Sequence, residues 1–296
     1  MQNNNITPFF NKYDNQFQAR LSATIGGMLK SGSANTADIA KAMSSINNKP
    51  FNTNDKSIAY FLNNKKFQVD DKFWRCHLNM VFSMLSEQRL IDKNNKIFIQ
   101  VDFTSDSNDF LILCASILFG ERAIPIYFTM RNYPKRKGEL NQKKMEEAFI
   151  KGLKHCLSVK YQYVIVADRG FAHQRFYDIC TNNGFDYLVR MNTCILVEHS
   201  GEKGKIPKII TKDGKFKVKI KEKEETIFRS SNEKGHWYLI SNINRLNKEE
   251  AVEIYKDRFK IEKCFQDLKS SGFDMEGSKI RKYDRFKRLV ALCCIT

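Results

Sequence analysis

The chain has 296 residues, 42% of them hydrophobic, enough to bury a sizeable core, and its 50 Lys and Arg against 33 Asp and Glu leave a formal charge of +17. That balance disfavours a cationic partner and points to a polyanion. No run of about 18 apolar residues occurs, and the opening MQNNNITPFFNKYDNQ lacks the charged-then-apolar layout of a signal peptide, so the expectation is a soluble, cytoplasmic protein with no membrane partner.

Residues 1–92 read as helical. TADIAKAMSSI opens with Thr36 as a candidate N-cap, and VDDKFWRCHLNMVFSMLSEQRLI carries apolar residues at helical spacing behind Asp70 or Asp71. The first of these suits a helix-turn-helix or an ordinary bundle helix, which leaves DNA binding by this region open. At Lys96 the character changes: KIFIQVDFTSD, DFLILCASILFG and RAIPIYFTM, separated by turn residues, predict three neighbouring strands, the first ending at Asp102. NQKKMEEAFIKGLKHCL is helical again. The apolar run in YQYVIVADRGF predicts a buried strand ending at Asp168, followed by a helix over 172–182 and a strand in FDYLVRM.

This order predicts a mixed α/β sheet. From about Thr193 to Ser241 short alternating segments such as KFKVKIKEK and WYLISNI predict a basic, half-exposed antiparallel β unit, and NKEEAVEIYKDRF restores the helical period. Basic residues cluster in YPKRKGELNQKK (133–144), KDGKFKVKIKEK (212–223) and KIRKYDRFKR (279–288), a pattern that favours a nucleic-acid footprint. The eight cysteines form no Cys-x-x-Cys pair and read as reduced, mostly buried thiols, and the five histidines are scattered singly.

Asp102 and Asp168 each close an apolar strand, where open α/β sheets bind ligands. Each has a plain alternative, a turn for Asp102 and a helix cap for Asp168. In YKDRFKIEKCFQDLKS, Tyr255, Arg258, Glu262 and Lys269 fall at offsets of three, seven and fourteen, close to one line along a helix. That stripe is either a solvated face with an Arg258–Glu262 pair or a carboxylate set between cations that grip phosphates. Three carboxylates from separate segments suit hard cations with oxygen ligands, and two Mg²⁺ or Mn²⁺ ions can drive in-line phosphoryl displacement.

Tyr, two residues, Arg, three, Glu, six, Lys: this spacing, together with Asp102, ADRGF around Asp168, WYLISN at 237–242 and LKSSGFDMEGSKI at 268–280, resembles bacterial insertion-sequence transposases of the DDE superfamily, in the IS-four type group named for its Tyr-Arg-Glu-Lys signature. The resemblance covers about residues 95–296. It implies a ribonuclease H-like core with Asp102, Asp168 and Glu262 as catalytic, metal-binding triad for two Mg²⁺ (or Mn²⁺) ions. It further implies cut-and-paste transposition through a DNA hairpin, with Tyr255, Arg258 and Lys269 on the element-end backbone and Trp237 stacking on a flipped base; a core Trp on a strand is the alternative. The implied partners are double-stranded DNA with terminal inverted repeats, target DNA and a second copy in a synaptic dimer, in a nucleoid-associated setting.

The expected layout is a helical N-terminal domain at 1–92, catalytic core at 93–192 and 246–296, and a β-rich insertion at 193–245. Rival readings are a structure-selective nuclease on the same core and a catalytically impaired truncated copy that occupies element ends. The closing DRFKRLVALCCIT places Phe286, Leu289, Val290 and Cys293 on one helical face with no stop signal after it, so partner helices are expected to be missing.

Overall fold

The structure, a computed structural model, describes residues 14–88, 96–106, 109–133, 142–232 and 235–296. Four helices lead: α1 (Asn15–Ser31), α2 (Thr36–Asn47), α3 (Phe51–Asn63) and α4 (Asp71–Glu87). Asp14 caps α1 and Asp70 caps α4, each accepting a backbone N–H three residues on. The cap of α2 is Asn35, whose Oδ1 accepts from Ala37 N at 3.0 Å, so Thr36 is the first helical residue instead of the cap.

The sheet follows as β1 (Lys96–Asp106), β2 (Phe110–Phe119) and β3 (Arg122–Asn132), antiparallel, then α5 (Gln142–Cys156), β4 (Gln162–Ala167), α6 (Gln174–Asn182) and β5 (Asp186–Arg190). β4 and β5 run parallel to β1, giving the order β3-β2-β1-β4-β5. The strands predicted from alternation and apolar runs all form, and the chain has the mixed α/β, ribonuclease H-like core expected, preceded by the helical N-terminal region. β1 continues four residues past Asp102, because those residues still pair with β2 after β4 has ended.

The basic segment adds β6 (Leu196–His199), β7 (Glu202–Lys205), a single turn α7 (Ile206–Ile209), β8 (Gly214–Ile220), β9 (Lys223–Asn232) and β10 (Gly235–Ser241). It forms no separate sheet: β10 pairs antiparallel with β5 and continues the same sheet through β9, β8, β6 and β7. α8 (Lys248–Asp257) starts at a capping box in which Asn247 and Glu250 exchange bonds. It is followed by α9 (Lys260–Gln266), a π-helical turn (Asp267–Ser271) and α10 (Tyr283–Ile295).

Side-chain alternation sends β1 and β4 residues to two faces. Ile97, Ile99, Val101, Tyr163, Ile165 and Ala167 join the large core under α5 and α6, while Phe98, Val164 and Val166 join a smaller core capped by Tyr255 of α8. On that second face α9 and α10 cover β1–β3, where Phe286 stacks on Phe110 at 4.7 Å. The expectation of an uncovered final helix does not hold: Phe286, Leu289, Val290, Leu292 and Cys293 are all buried, and Arg288 donates to the Leu62 and Phe67 carbonyls beside α3. The 279–288 cluster is thus partly inward-turned, with burial lowering the Lys287 pKa. The 133–144 cluster lies mostly outside the described residues.

Candidate active site

Register places the two aspartates side by side. The last paired residues of β1 and β4 are Val101 and Ala167, so the next residues, Asp102 and Asp168, are neighbours across parallel strands about 4.8 Å apart. Alternation puts both on the face of Phe98, Val164 and Val166. The cover of that face is broken there. The segment Tyr255–Ser270, read from sequence as one helix, is α8, then a tightened stretch, α9 and the π turn. Arg258, Phe259, Ile261 and Glu262 N–H groups all bond to the carbonyl three residues back, 3₁₀ fashion. Gly272 closes the π turn because a Cβ there would lie 2.6 Å from the Asp267 carbonyl oxygen.

The break drops Arg258 between α8 and α9. Its side chain is 4% exposed, with Nη1 donating to Asp102 Oδ2 at 3.1 Å and Nη2 to Glu262 Oε1 at 2.7 Å. The Arg258–Glu262 pair therefore joins a buried guanidinium to a half-exposed carboxylate and is no surface ion pair of two solvated side chains. One guanidinium ties together carboxylates 160 residues apart in sequence, and the fork geometry of arginine makes that possible. Burial pushes the Asp102 carboxyl up to about 6, Arg258 opposes the rise, the charges of Asp168 and Glu262 add to it, and the Phe103 N–H on Oδ1 opposes it. Asp168 also fulfils its plain alternative, because Oδ1 accepts from Gly170 N at 2.8 Å and caps the 169–171 turn. Phe103, one residue after Asp102, and Phe171, three after Asp168, stack at 5.4 Å on the opposite face.

Of the signature residues expected to contact DNA, Tyr255 and Arg258 are buried, while Lys269 and Trp237 are partly exposed. Tyr255 is fully buried, with Trp237 edge-on at 5.1 Å and Phe259 at 6.0 Å, and the Arg258 guanidinium lies beside it at 5.6 Å from its ring centroid. A packed tyrosine and an arginine spent on two carboxylates present no surface to a DNA backbone in this conformation. Trp237 is half-buried on β10 in the same aromatic cluster. Lys269 stands on the π turn beside Thr104, lining a small cavity two residues beyond Asp102 on β1. Arg190, at the end of β5, was not singled out from sequence. It is half-buried, acts on Tyr255 by its charge and has no ion-pair partner among the described residues. Its signal was its position, since it closes an apolar strand as Asp168 does.

A family model for the transposase DDE domain matches residues 132–296, more than half of the chain. The chain belongs to the transposase DDE domain family. A transposase DDE domain is a DNA-acting nuclease and transposase, and the net charge of +17 suits that polyanion. No curated protein matches the chain. Among solved structures, endonuclease V from Bacillus subtilis is similar with 13% identity over 66% of this chain and 85% of that one, at a TM-score of 0.31. Endonuclease V from Ciona intestinalis, in complex with a 23mer DNA containing an inosine followed by a ribo-adenosine, shows 14% identity over 60% and 88%, at 0.33. No helix among the described residues is long and apolar enough to cross a membrane.

Among the described residues no group of three or more His, Cys, Asp or Glu stands at metal-holding spacing. The donor chemistry nonetheless fits a hard divalent cation. Asp102, Asp168 and Glu262 offer only carboxylate oxygens, and Glu262 is 54% exposed at the edge of the site.

Proposed function

We propose that this chain is a cut-and-paste transposase of an insertion sequence, of the Tyr-Arg-Glu-Lys signature group, with Asp102, Asp168 and Glu262 as its acidic centre. The observation that carries the proposal is the convergence of all three carboxylates around the break between α8 and α9, two joined by strand register and two by Arg258. Asp102, Asp168 and Glu262 would hold Mg²⁺ or Mn²⁺, two ions by the chemistry of the reaction, which when bound supply charge stabilisation to the phosphoryl oxygens.

The chain's own residues do the positioning. Arg258 holds Asp102 and Glu262 in one geometry and offsets their mutual repulsion, and Tyr255 walls the guanidinium from below. Arg190 and Lys269 flank the centre as cations for the phosphates of a terminal inverted repeat. The strand is cut when a water oxygen bonds to phosphorus and the 3′ oxygen leaves, taking up the water proton. The freed 3′ hydroxyl then attacks the phosphate of the opposite strand, giving a hairpin as the 3′ oxygen of the flanking strand leaves with the proton, and Trp237 stacks on a base displaced by the sharp bend. Water then opens the hairpin and frees the 3′ hydroxyl again, and attack of that hydroxyl on a target phosphate joins the element as the target's 3′ oxygen leaves. Synapsis of two ends calls for a dimer, in the nucleoid of a bacterial cytoplasm.

The test is cleavage of duplex DNA carrying the inverted repeats that flank the coding region, in Mg²⁺ or Mn²⁺, with gel-shift assays alongside. Asp102→Asn, Asp168→Asn and Glu262→Gln should each abolish cutting while binding persists. Near-wild-type cutting by any one of them removes that residue from the centre.

A further inference from the structure

Away from the acidic centre, α1 and α3 face each other across an open groove of about 710 Å³ whose far end is closed by the turn after α2. α1 contributes Ala19, Arg20 and Ala23, and α3 contributes Lys56, Ser57 and Tyr60, in each case a stripe at helical spacing. Lys49 stands at the turn, and among the described residues no acidic side chain lines the groove. The small residues keep its floor open. The opposite stripe of α3, Ile58, Phe61 and Leu62, is fully buried, so the groove face is turned away from the core by the folding of the helix itself.

Tyr60 is 57% exposed, and the Arg20 guanidinium lies 4.6 Å from its ring centroid, covering one face. A single exposed ring is ordinary on a protein surface, and what sets Tyr60 apart is its place in a groove with Arg20, Lys49 and Lys56. Here the arginine holds the ring in place and leaves its other face open within a basic groove. Bases inside a duplex are already stacked on their neighbours and cannot occupy such a ring, whereas unpaired bases can.

We infer that the α1–α3 groove binds single-stranded nucleic acid, with an unpaired base on Tyr60 and backbone phosphates on Arg20, Lys49 and Lys56. The inference rests on the nucleic-acid partner of the proposed function, not on the acidic centre. It also has a structural link to that centre: Ala34 N, between α1 and α2, donates to the Phe273 carbonyl, and Asn35 Nδ2 donates to the Gly277 carbonyl at 3.3 Å. Those carbonyls follow the π turn that carries Lys269. The helical unit is thereby fastened to the segment flanking the site, so unpaired nucleotides near a cut end would be held at a fixed distance from it.

The experiment is fluorescence anisotropy of the full chain with a labelled twelve-nucleotide oligothymidylate and with a duplex of the same length. Tyr60→Ala should weaken single-strand binding by about tenfold, and Tyr60→Phe should retain it, because stacking needs the ring and not the hydroxyl. Arg20→Ala and Lys56→Ala should each lower the single-strand salt slope by about 0.7. Duplex affinity should change less than about twofold in Tyr60→Ala. Thermal melts check that each variant folds, which the exposure of these side chains favours. Unchanged single-strand affinity in Tyr60→Ala, or an equal loss on duplex, overturns the inference. Cleavage of repeat-bearing duplex, run on the same proteins, keeps the two readings apart: its absence in the wild type counts against the proposed function and leaves the groove to be judged on binding alone.

Discussion

The two faces of the central sheet are covered in different ways, and the difference makes the site. Under α5 and α6 the cover is apolar throughout: Met145, Phe149, Leu153 and Phe176 are buried, with α5 against β3 and α6 against β5. The other face is covered in two pieces, α8 over β4, β5 and β10, and α9 with α10 over β1–β3. The carboxylates stand where the pieces meet. A continuous apolar cover would have left Asp102 and Asp168 as buried charges without partners, at a cost of several kcal/mol each. Interrupting the helix admits Arg258 and a path to solvent through Glu262.

The largest effect should come from neutralising carboxylates on the broken face. Asp168→Asn should lower cleavage by on the order of a thousandfold while changing the melting temperature little, since volume is kept. A comparable deletion on the sealed face, Phe149→Ala, should do the reverse. It should cost about 3–5 kcal/mol of stability in denaturant titration and leave residual cleavage proportional to the folded fraction. If both substitutions affected both readouts alike, the division of labour between faces would be wrong.

Arg258→Ala should fail on both counts, which sharpens the contrast. Its removal leaves Asp102 poorly solvated and unpaired, at about 3 kcal/mol, most of it on the Asp102 arm because Glu262 is half exposed. Arg258→Lys should recover part of the stability but little cleavage, since an ammonium cannot hold both carboxylates in one plane. Smaller effects belong to the flanking cations: Lys269→Ala and Arg190→Ala should each reduce the salt slope of duplex binding by about one. Trp237→Ala should spare the first nick and slow hairpin closure, and an equal loss in both steps would make Trp237 a packing residue of the Tyr255 cluster.

The smallest effect concerns acid stability on the sealed side. His77 is buried on α4 with Nε2 on the Pro125 carbonyl at 2.8 Å, and burial lowers its pKa below 6.5. Below about pH 6.5 the unfolded chain takes up a proton that the folded chain refuses, so stability falls with pH by up to about 1.4 kcal/mol per unit until the depressed folded value is reached. His77→Gln should flatten that part of the slope between pH 7 and 5 in urea titrations.

Sequence alone determined which segments of the core are strands, because alternation and apolar runs report burial directly at β1, β2, β3, β4 and β5, whereas their order in the sheet rests on pairings between distant segments. It also nominated Asp102, Asp168 and Glu262 from strand ends and signature spacing. Spacing along a helix could not show that the helix breaks at Arg258. Whether a segment continues or interrupts depends on what it packs against, and 3₁₀ bonds cost so little relative to α bonds that packing decides. For the same reason the buried state of Tyr255, the covered final helix and the position of Arg190 near Tyr255 emerge only in three dimensions. Periodicity says that a side chain has an apolar neighbour or a polar one. Only the tertiary structure says that Arg258, four residues from Glu262, also reaches a carboxylate 156 residues earlier in the chain.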